Sequence, residues 1–124
     1  MKSYRDLEVY RKAFELAVKV HRMTMKLPKY EMYEQGSQIR RSSKSVKDTI
    51  VEGYGRRRYK PEFIKYLVYS VGSCDETTSQ LEMIQTLHSR RIEVDELIVE
   101  YQELGKQLIN LTKYVETNWL AGTT

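Results

Sequence analysis

The chain has 124 residues, of which 40% are hydrophobic and 31% are charged, and it contains two prolines and six glycines. This composition is typical of one globular, mainly helical domain and excludes a disordered or low-complexity chain. Residues 1–60 hold 16 Lys and Arg against 7 Asp and Glu, and residues 61–124 hold 5 against 10. The net charge of +4 therefore hides a basic first half and an acidic second half.

The single cysteine, Cys74, excludes an internal disulfide. The amino-terminal segment MKSYRDLEVYRK lacks the apolar core of a signal peptide. No apolar run approaches the roughly 20 residues that a membrane span needs. We therefore expect a cytoplasmic protein without membrane insertion.

Two amphipathic helices are predicted in the first half, at residues 6–27 and 34–54. Asp6 suits the N-cap of the first helix and Pro28 marks its end. Its apolar residues recur at helical spacing and predict the buried face; they are Leu7, Tyr10, Phe14, Ala17, Val18, His21 and Met25. The second helix has a narrower seam, formed by Ile39, Ser43, Val46 and Ile50.

Two longer helices are predicted in the second half, at residues 61–88 and 93–118. The third has Pro61 at its first turn, and its seam is widened by Ile64, Val68 and Ile84. That seam consists of Phe63, Leu67, Ser70 or Val71, Cys74, Thr78, Leu81, Gln85 and His88. The fourth has a strict spacing of three and four residues, at Val94, Leu97, Tyr101, Leu104, Leu108, Leu111 and Val115. Four such helices with short connections predict an all-α, antiparallel up-down-up-down four-helix bundle, with residues 1–124 forming one domain.

Residues that could carry catalysis are few. His21 and His88 both fall on apolar stripes, so buried, hydrogen-bonded histidines are favoured over a metal site. Cys74 lies in the seam of the third helix, and we interpret it as a small core residue. Gly53-x-Gly55 matches the start of the dinucleotide-binding motif G-x-G-x-x-G. However, Arg58 replaces the third glycine, and the segment follows a predicted helix where the motif requires a strand. We expect no metal, no cofactor and no enzyme activity.

The cationic residues of the second helix and of the turn after it are a stronger indication of function. With Ile39 at the centre of the buried face, Lys47, Arg40 and Lys44 lie at about 80, 100 and 140 degrees around the second helix. This stripe leads into the segment EGYGRRRYKPEF, where Arg56, Arg57, Arg58 and Lys60 follow. The seven cations could contact phosphates, and Tyr54 and Tyr59 could stack on unpaired bases. A solvated surface, with the tyrosines packed on the end of the bundle, is the alternative.

Several segments together carry a family resemblance. DLEVYRKAFELAVKV, SQIRRSSKSV, EGYGRRR, KPEFIKYL and GSCDETTSQLE resemble, in order, the bacterial four-helix bundle proteins encoded within intervening sequences of 23S ribosomal RNA genes. The resemblance implies a bundle that assembles into a cyclic homo-oligomer, expected to be a homopentamer. It also implies similarity to the accessory variability determinant proteins of diversity-generating retroelements, which are basic pentameric barrels that bind nucleic acid and a reverse transcriptase.

The positions that match the family are the QIRR segment and the basic turn, namely Gln38, Arg40, Arg41, Glu52, Gly53, Gly55, Arg56 and Arg57. The chain departs from the family in the second helix, where small residues and a proline are common and Asn is common at position 49. Here the helix has Ser42, Ser43, Lys44, Lys47 and Thr49. The added lysines make this surface more basic.

Two functions follow as hypotheses. In the first, the chain is a non-catalytic nucleic-acid-binding protein, for RNA rather than DNA, that uses the cationic stripe and turn on phosphates. In the second, it is a structural or adaptor oligomer with a protein partner such as a reverse transcriptase. The basic turn would then meet acidic residues of the next subunit, among Glu93, Asp95, Glu96, Glu100 and Glu103.

Overall fold

The computed structural model describes residues 2–119, and its secondary structure is entirely helical within that range. A short 3-10 turn at Tyr4–Asp6 precedes the first helix. The helices are α1 (Glu8–Thr24), α2 (Lys29–Met32), α3 (Gln35–Gly55), α4 (Lys60–His88) and α5 (Asp95–Asn118). Four are long, and α2 is a single turn between the first two predicted helices, where no helix was predicted.

The four long helices form an antiparallel bundle. Each of them packs on two neighbours: α1 contacts α3 and α5, and α4 contacts the same two helices from the opposite side. The all-α four-helix bundle predicted from the sequence is therefore confirmed.

The contact between α3 and α4 is close because small polar residues line it. Ser70 Oγ donates to the carbonyl of Val46 at 2.7 Å, and Thr77 Oγ1 donates to Ser42 Oγ at 2.9 Å. Farther along the same contact, a Cβ at Gly53 would lie 3.0 Å from the Cβ of Tyr66. Hydroxyl groups that bond each other or a carbonyl satisfy the polar atoms that this close approach buries.

The predicted seams of α4 and α5 match the buried residues well. Fully buried side chains include Phe63, Leu67, Cys74 and Leu81 of α4, and Tyr101, Leu104 and Leu108 of α5. Ser70 is the buried residue of the Ser70 or Val71 alternative, and Thr77 is buried in place of the predicted Thr78, which is half-buried. His88 is hydrogen-bonded as predicted, with Nε2 lying 2.8 Å from Glu31 Oε2.

The predicted buried face of the first helix is correct at Leu7 and Ala17 and wrong at Phe14, His21 and Met25. The core receives Val9, Ala13, Leu16, Val20 and Met23, each one or two residues away from the predicted stripe. Phe14 is 47% exposed, and Met25 and His21 are also exposed, so His21 is not the buried histidine that was expected. A shift of one residue turns a helix by about 100 degrees. Since α1 must face α3 and α5 at once, its orientation is set by those two neighbours.

The outer side of α4 is also more apolar than a solvated helix surface. Val68, predicted to widen the core seam, is 53% exposed, and Tyr69, Met83 and Leu87 are exposed with it. All four lie on the side of α4 opposite to its buried residues. A helix that is apolar on both sides is usually covered on both sides.

Candidate nucleic-acid interface

The basic turn between α3 and α4 is short and held by backbone hydrogen bonds. The N–H of Arg56 bonds the carbonyl of Gly53, and the N–H of Tyr59 bonds the carbonyl of Arg56 at 2.9 Å. Pro61 stands in the first turn of α4, where its missing N–H costs nothing. The turn therefore presents its side chains from a defined backbone at one end of the bundle.

Arg56 is exposed but has contacts with the first two turns of α4. Its guanidinium group lies 4.6 Å from the ring centroid of Tyr66, and its Nε lies 4.0 Å from Glu62 Oε1. Its Nη1 also donates to the carbonyl of Glu52 at 3.2 Å. These contacts are on the surface and weak, so Arg56 can still meet a phosphate.

Arg57 folds back onto the bundle. Its guanidinium group lies 4.1 Å over the ring of Tyr54, and its Nη1 donates to the carbonyl of Tyr54 at 3.0 Å. The indole Nε1 of Trp119 donates to the carbonyl of Arg57 at 3.2 Å. The predicted phosphate contact by Arg57 does not fit this geometry, because its charged group is already used to close the end of the bundle.

The predicted stacking by Tyr54 is wrong. Tyr54 is 4% exposed, and its ring meets that of Phe63 edge to face with centroids 6.3 Å apart. It packs on the end of the bundle, which was the alternative for both tyrosines. Tyr59 is different, because it is 63% exposed and its ring remains available for stacking.

Arg58 and Lys60 complete the turn. Arg58 is exposed and Lys60 half-buried, and neither makes an ion pair with another residue of the range 2–119. Together with Arg56, they leave three cations at this end of the bundle for an external anion.

Arg40, the first cation of the predicted stripe, has an internal role instead. Its Nη1 donates to Thr24 Oγ1 at 2.8 Å and its Nη2 donates to the carbonyl of Met32 at 3.0 Å. These partners are the last residues of α1 and α2, where a cation is favoured by the helix dipole. Gly36 provides room, since a Cβ there would lie 3.0 Å from Arg40 Nη1. The half-buried guanidinium is therefore not free for phosphates.

Lys44 and Lys47 lie on the side of α3 that faces α1. Lys44 is exposed, and Lys47 Nζ lies 2.6 Å from Asp48 Oδ1 in a surface ion pair that contributes little. Both lysines line an open groove between α1 and α3, called here the α1–α3 groove. Its other lining residues all come from α1 and are Phe14, Ala17, Val18, His21 and Arg22.

Arg22 and Phe14 are the residues that the sequence analysis missed as site residues. Phe14 was assigned to the core, and Arg22 was not assigned to any site. Their spacing with Val18 places all three on one side of α1. The spacing itself was visible in the sequence, but only the packing of α1 shows that this side is open.

The acidic residues proposed for subunit contacts are partly used within the chain. Glu100 accepts hydrogen bonds from Lys12 at 2.7 Å and from Lys19 at 3.4 Å, and the bond from Lys12 lowers the pKa of Glu100. The side chain of Gln85 donates to the Asp95 carboxylate, and the Glu93 carboxylate accepts from the backbone N–H of Asp95.

Glu96 and Glu103 are exposed on α5, and neither forms an ion pair within the described range. They are the acidic residues of that set which remain open to a neighbouring molecule.

The remaining candidates for chemistry are Cys74 and clusters of possible metal ligands. Burial raises the pKa of the Cys74 thiol to about 12, and its Sγ donates to the carbonyl of Tyr101 at 3.2 Å, so it is not an activated nucleophile. Between residues 2 and 119, no group of three or more His, Cys, Asp or Glu stands close enough to hold a metal ion. None of the helices in that range is both long enough and apolar enough to cross a membrane.

The fold and the surface define the class of protein. It is an antiparallel four-helix bundle with one cationic end, at the turn that joins α3 to α4, and a cationic groove beside α3. The sequence model of the 23S rRNA-intervening sequence protein family matches residues 5–110, and the chain belongs to this family. The resemblance to this family seen in the sequence is thereby confirmed. No match was found among the curated proteins.

Proposed function

We propose that this chain is a non-catalytic, cytoplasmic RNA-binding protein that grips phosphates with the surface formed by α3, its C-terminal turn and the adjoining side of α1. The observation that carries the proposal is that six cations with no more than weak surface contacts form two groups along α3. Arg22, Lys44 and Lys47 line the α1–α3 groove, and Arg56, Arg58 and Lys60 lie in the turn at the end of α3.

The free energies involved favour a binding function over a surface that is only solvated. A single exposed ion pair contributes little to stability. Several cations that contact one phosphate backbone act together, because each releases a condensed counterion. Six contacts to a single strand would give a slope of about −4 in a plot of log affinity against log salt concentration. Phosphate contacts carry no sequence information, so we expect weak sequence specificity.

RNA is the first ligand to test because the family is named for intervening sequences of 23S rRNA. The exposed ring of Tyr59, beside Arg58 and Lys60, supports the same choice, since protein aromatics stack on the unpaired bases of RNA loops.

The test is equilibrium binding of a labelled, structured RNA over a salt series. The double variant Arg56→Glu/Arg58→Glu is compared with Lys106→Glu/Lys113→Glu, which changes the net charge equally on the exposed side of α5. The first variant should bind much more weakly and with a flatter salt slope, and the second should keep most of its affinity. Equal losses in the two variants would mean that only net charge matters and would refute this site.

A second candidate function is a cyclic homo-oligomer that serves as an adaptor for a protein partner, such as a reverse transcriptase. The exposed apolar side of α4, formed by Val68, Tyr69, Met83 and Leu87, favours it. Under this second candidate, the chain would be similar to the accessory variability determinant proteins and would assemble as a pentamer. The two functions are compatible, since a ring can carry a cationic surface on every subunit.

A further inference from the structure

The α1–α3 groove combines an apolar floor with a cationic rim. It has a volume of about 370 Å³ and is open to solvent. Phe14, Ala17 and Val18 supply the floor, and Phe14 leaves almost half of its surface uncovered. A volume of this size is within the range of sites for small organic groups and too small for a folded element.

Every charged side chain on the rim is basic. Arg22 comes from α1, and Lys44 and Lys47 come from α3. Among residues 2–119, no carboxylate lines the groove itself, and the nearest ion pair is the surface pair of Lys47 with Asp48. The imidazole of His21 is exposed on the same side of α1 as the groove. The occupant that fits this pattern has a flat, largely apolar part and negative charge next to it.

We infer that the α1–α3 groove holds one unpaired nucleobase of a single-stranded RNA segment. The base would lie against Phe14 and His21, and the flanking phosphates would meet Arg22, Lys44 and Lys47. This inference rests on the proposed RNA binding and adds to it a preference for single strands. A base within a duplex is stacked and paired, so a duplex can meet the cationic rim only with its phosphates.

The position of the groove supports a nucleobase over a protein segment. Lys47 and Arg56 are nine residues apart on α3 and its turn, which is about 14 Å along the helix axis and about half a turn around it. A flexible single strand can therefore reach both the groove and the basic turn if it passes around the end of α3. The competing occupant is a helix of a second copy, since Val99 on α5 is exposed between Glu96 and Glu103.

The test measures binding of a 12-nucleotide single-stranded RNA and of the duplex with the same sequence. The variant is Phe14→Ala, and its control is Tyr114→Ala, which removes an equally exposed aromatic ring from α5. Loss of one stacked base should weaken single-strand binding by about 5- to 150-fold. Duplex binding should stay unchanged, and Tyr114→Ala should bind both ligands as the wild type does. The molecular mass and the melting curve of each variant are measured in the same buffer.

The outcomes separate this inference from the proposed function. If the wild type binds neither ligand at low salt, the proposed RNA binding fails. If it binds both with a steep salt dependence and Phe14→Ala weakens neither, RNA binding stands and the base-holding groove is refuted. If Phe14→Ala lowers the mass of an assembly that the wild type forms, the groove is a contact between copies and the inference is also overturned.

Discussion

The guanidinium group of Arg57 lies 4.1 Å over the ring of Tyr54, while the next residue, Arg58, is exposed with no ion pair in the described range. Two adjacent arginines in one basic turn therefore have different roles. Arg57 covers a buried aromatic ring at the end of the bundle, and Arg58 faces outward. This difference allows stability and binding to be tested separately at neighbouring positions.

The first prediction compares Arg57→Ala with Arg58→Ala. Removing Arg57 should lower the free energy of unfolding by about 1 to 2 kcal/mol, because a partly desolvated cation–π contact and its hydrogen bond are lost. Removing Arg58 should leave stability unchanged and weaken RNA binding. Urea titration measures the first effect and a salt series of binding measures the second. The reverse assignment of the two effects would contradict the geometry of the turn.

The second prediction concerns Arg40, which joins the ends of α1 and α2 to α3. Arg40→Ala should destabilise the fold by about 2 to 3 kcal/mol, because charge-assisted hydrogen bonds to Thr24 and Met32 are removed from a half-buried place. Lys44→Ala, one turn further along α3, should cost almost nothing. Denaturant midpoints of the two variants give the comparison. Similar midpoints would show that the Arg40 contacts carry no stability.

The third prediction is a pH dependence at Glu100. Its hydrogen bonds from Lys12 and Lys19 hold the folded-state pKa below the ordinary value of 4.5. The stabilisation is therefore present above that value and is lost as the pH falls through the lower, folded-state pKa. Glu100→Gln should cost about 1 kcal/mol near pH 7, since Lys12 and Lys19 are partly exposed and screened.

Wild type and Glu100→Gln should converge in stability well below pH 4.5. Thermal unfolding over a series of acidic buffers measures this. A difference that stays constant down to the lowest pH would mean that the substitution acts through packing and not through charge.

The fourth prediction uses two glycines. At Gly53, a Cβ would lie 3.0 Å from Tyr66 Cβ and 3.3 Å from Phe63 Cδ1, so Gly53→Ala should push α3 and α4 apart and cost about 1 to 3 kcal/mol. At Gly72, a Cβ would meet nothing within 4 Å, so Gly72→Ala should stabilise α4 by up to about 1 kcal/mol through helix propensity. The unfolding free energies should thus change in opposite directions. A stabilising Gly53→Ala would refute the close α3–α4 contact.

The fifth prediction tests the outer side of α4 as a contact between copies. Val68→Glu is compared with Ile109→Glu on α5, since the two side chains are 53% and 43% exposed. A charge placed in a covered apolar contact is costly, so Val68→Glu should lower the mass measured by light scattering without changing the helical content. Ile109→Glu should leave the mass unchanged. A monomeric wild type, or equal dissociation by both variants, would remove this surface from the proposal.

Much of the fold could be predicted because the strongest periodicities belong to helices with one simple buried face. The strict spacing in α5, from Val94 to Val115, allows only one orientation in a bundle. The residues that lie on the surface of the site were also predictable where nothing competes for them, as at Lys44, Arg58 and Tyr59. The one-turn helix α2 was missed because it is too short for a periodicity to appear.

The sequence by itself determined four amphipathic helices, their order, their approximate ends and the family to which the chain belongs, because these depend on local spacing and on caps and breakers such as Pro28 and Pro61. Only the tertiary structure decided which apolar stripe of α1 is buried, since α1 has to meet α3 and α5 together. It also decided the direction of long side chains. Arg40, Tyr54 and Arg57 turn inward because partners from distant parts of the chain meet them there, and the spacing of residues along one helix contains no record of those partners.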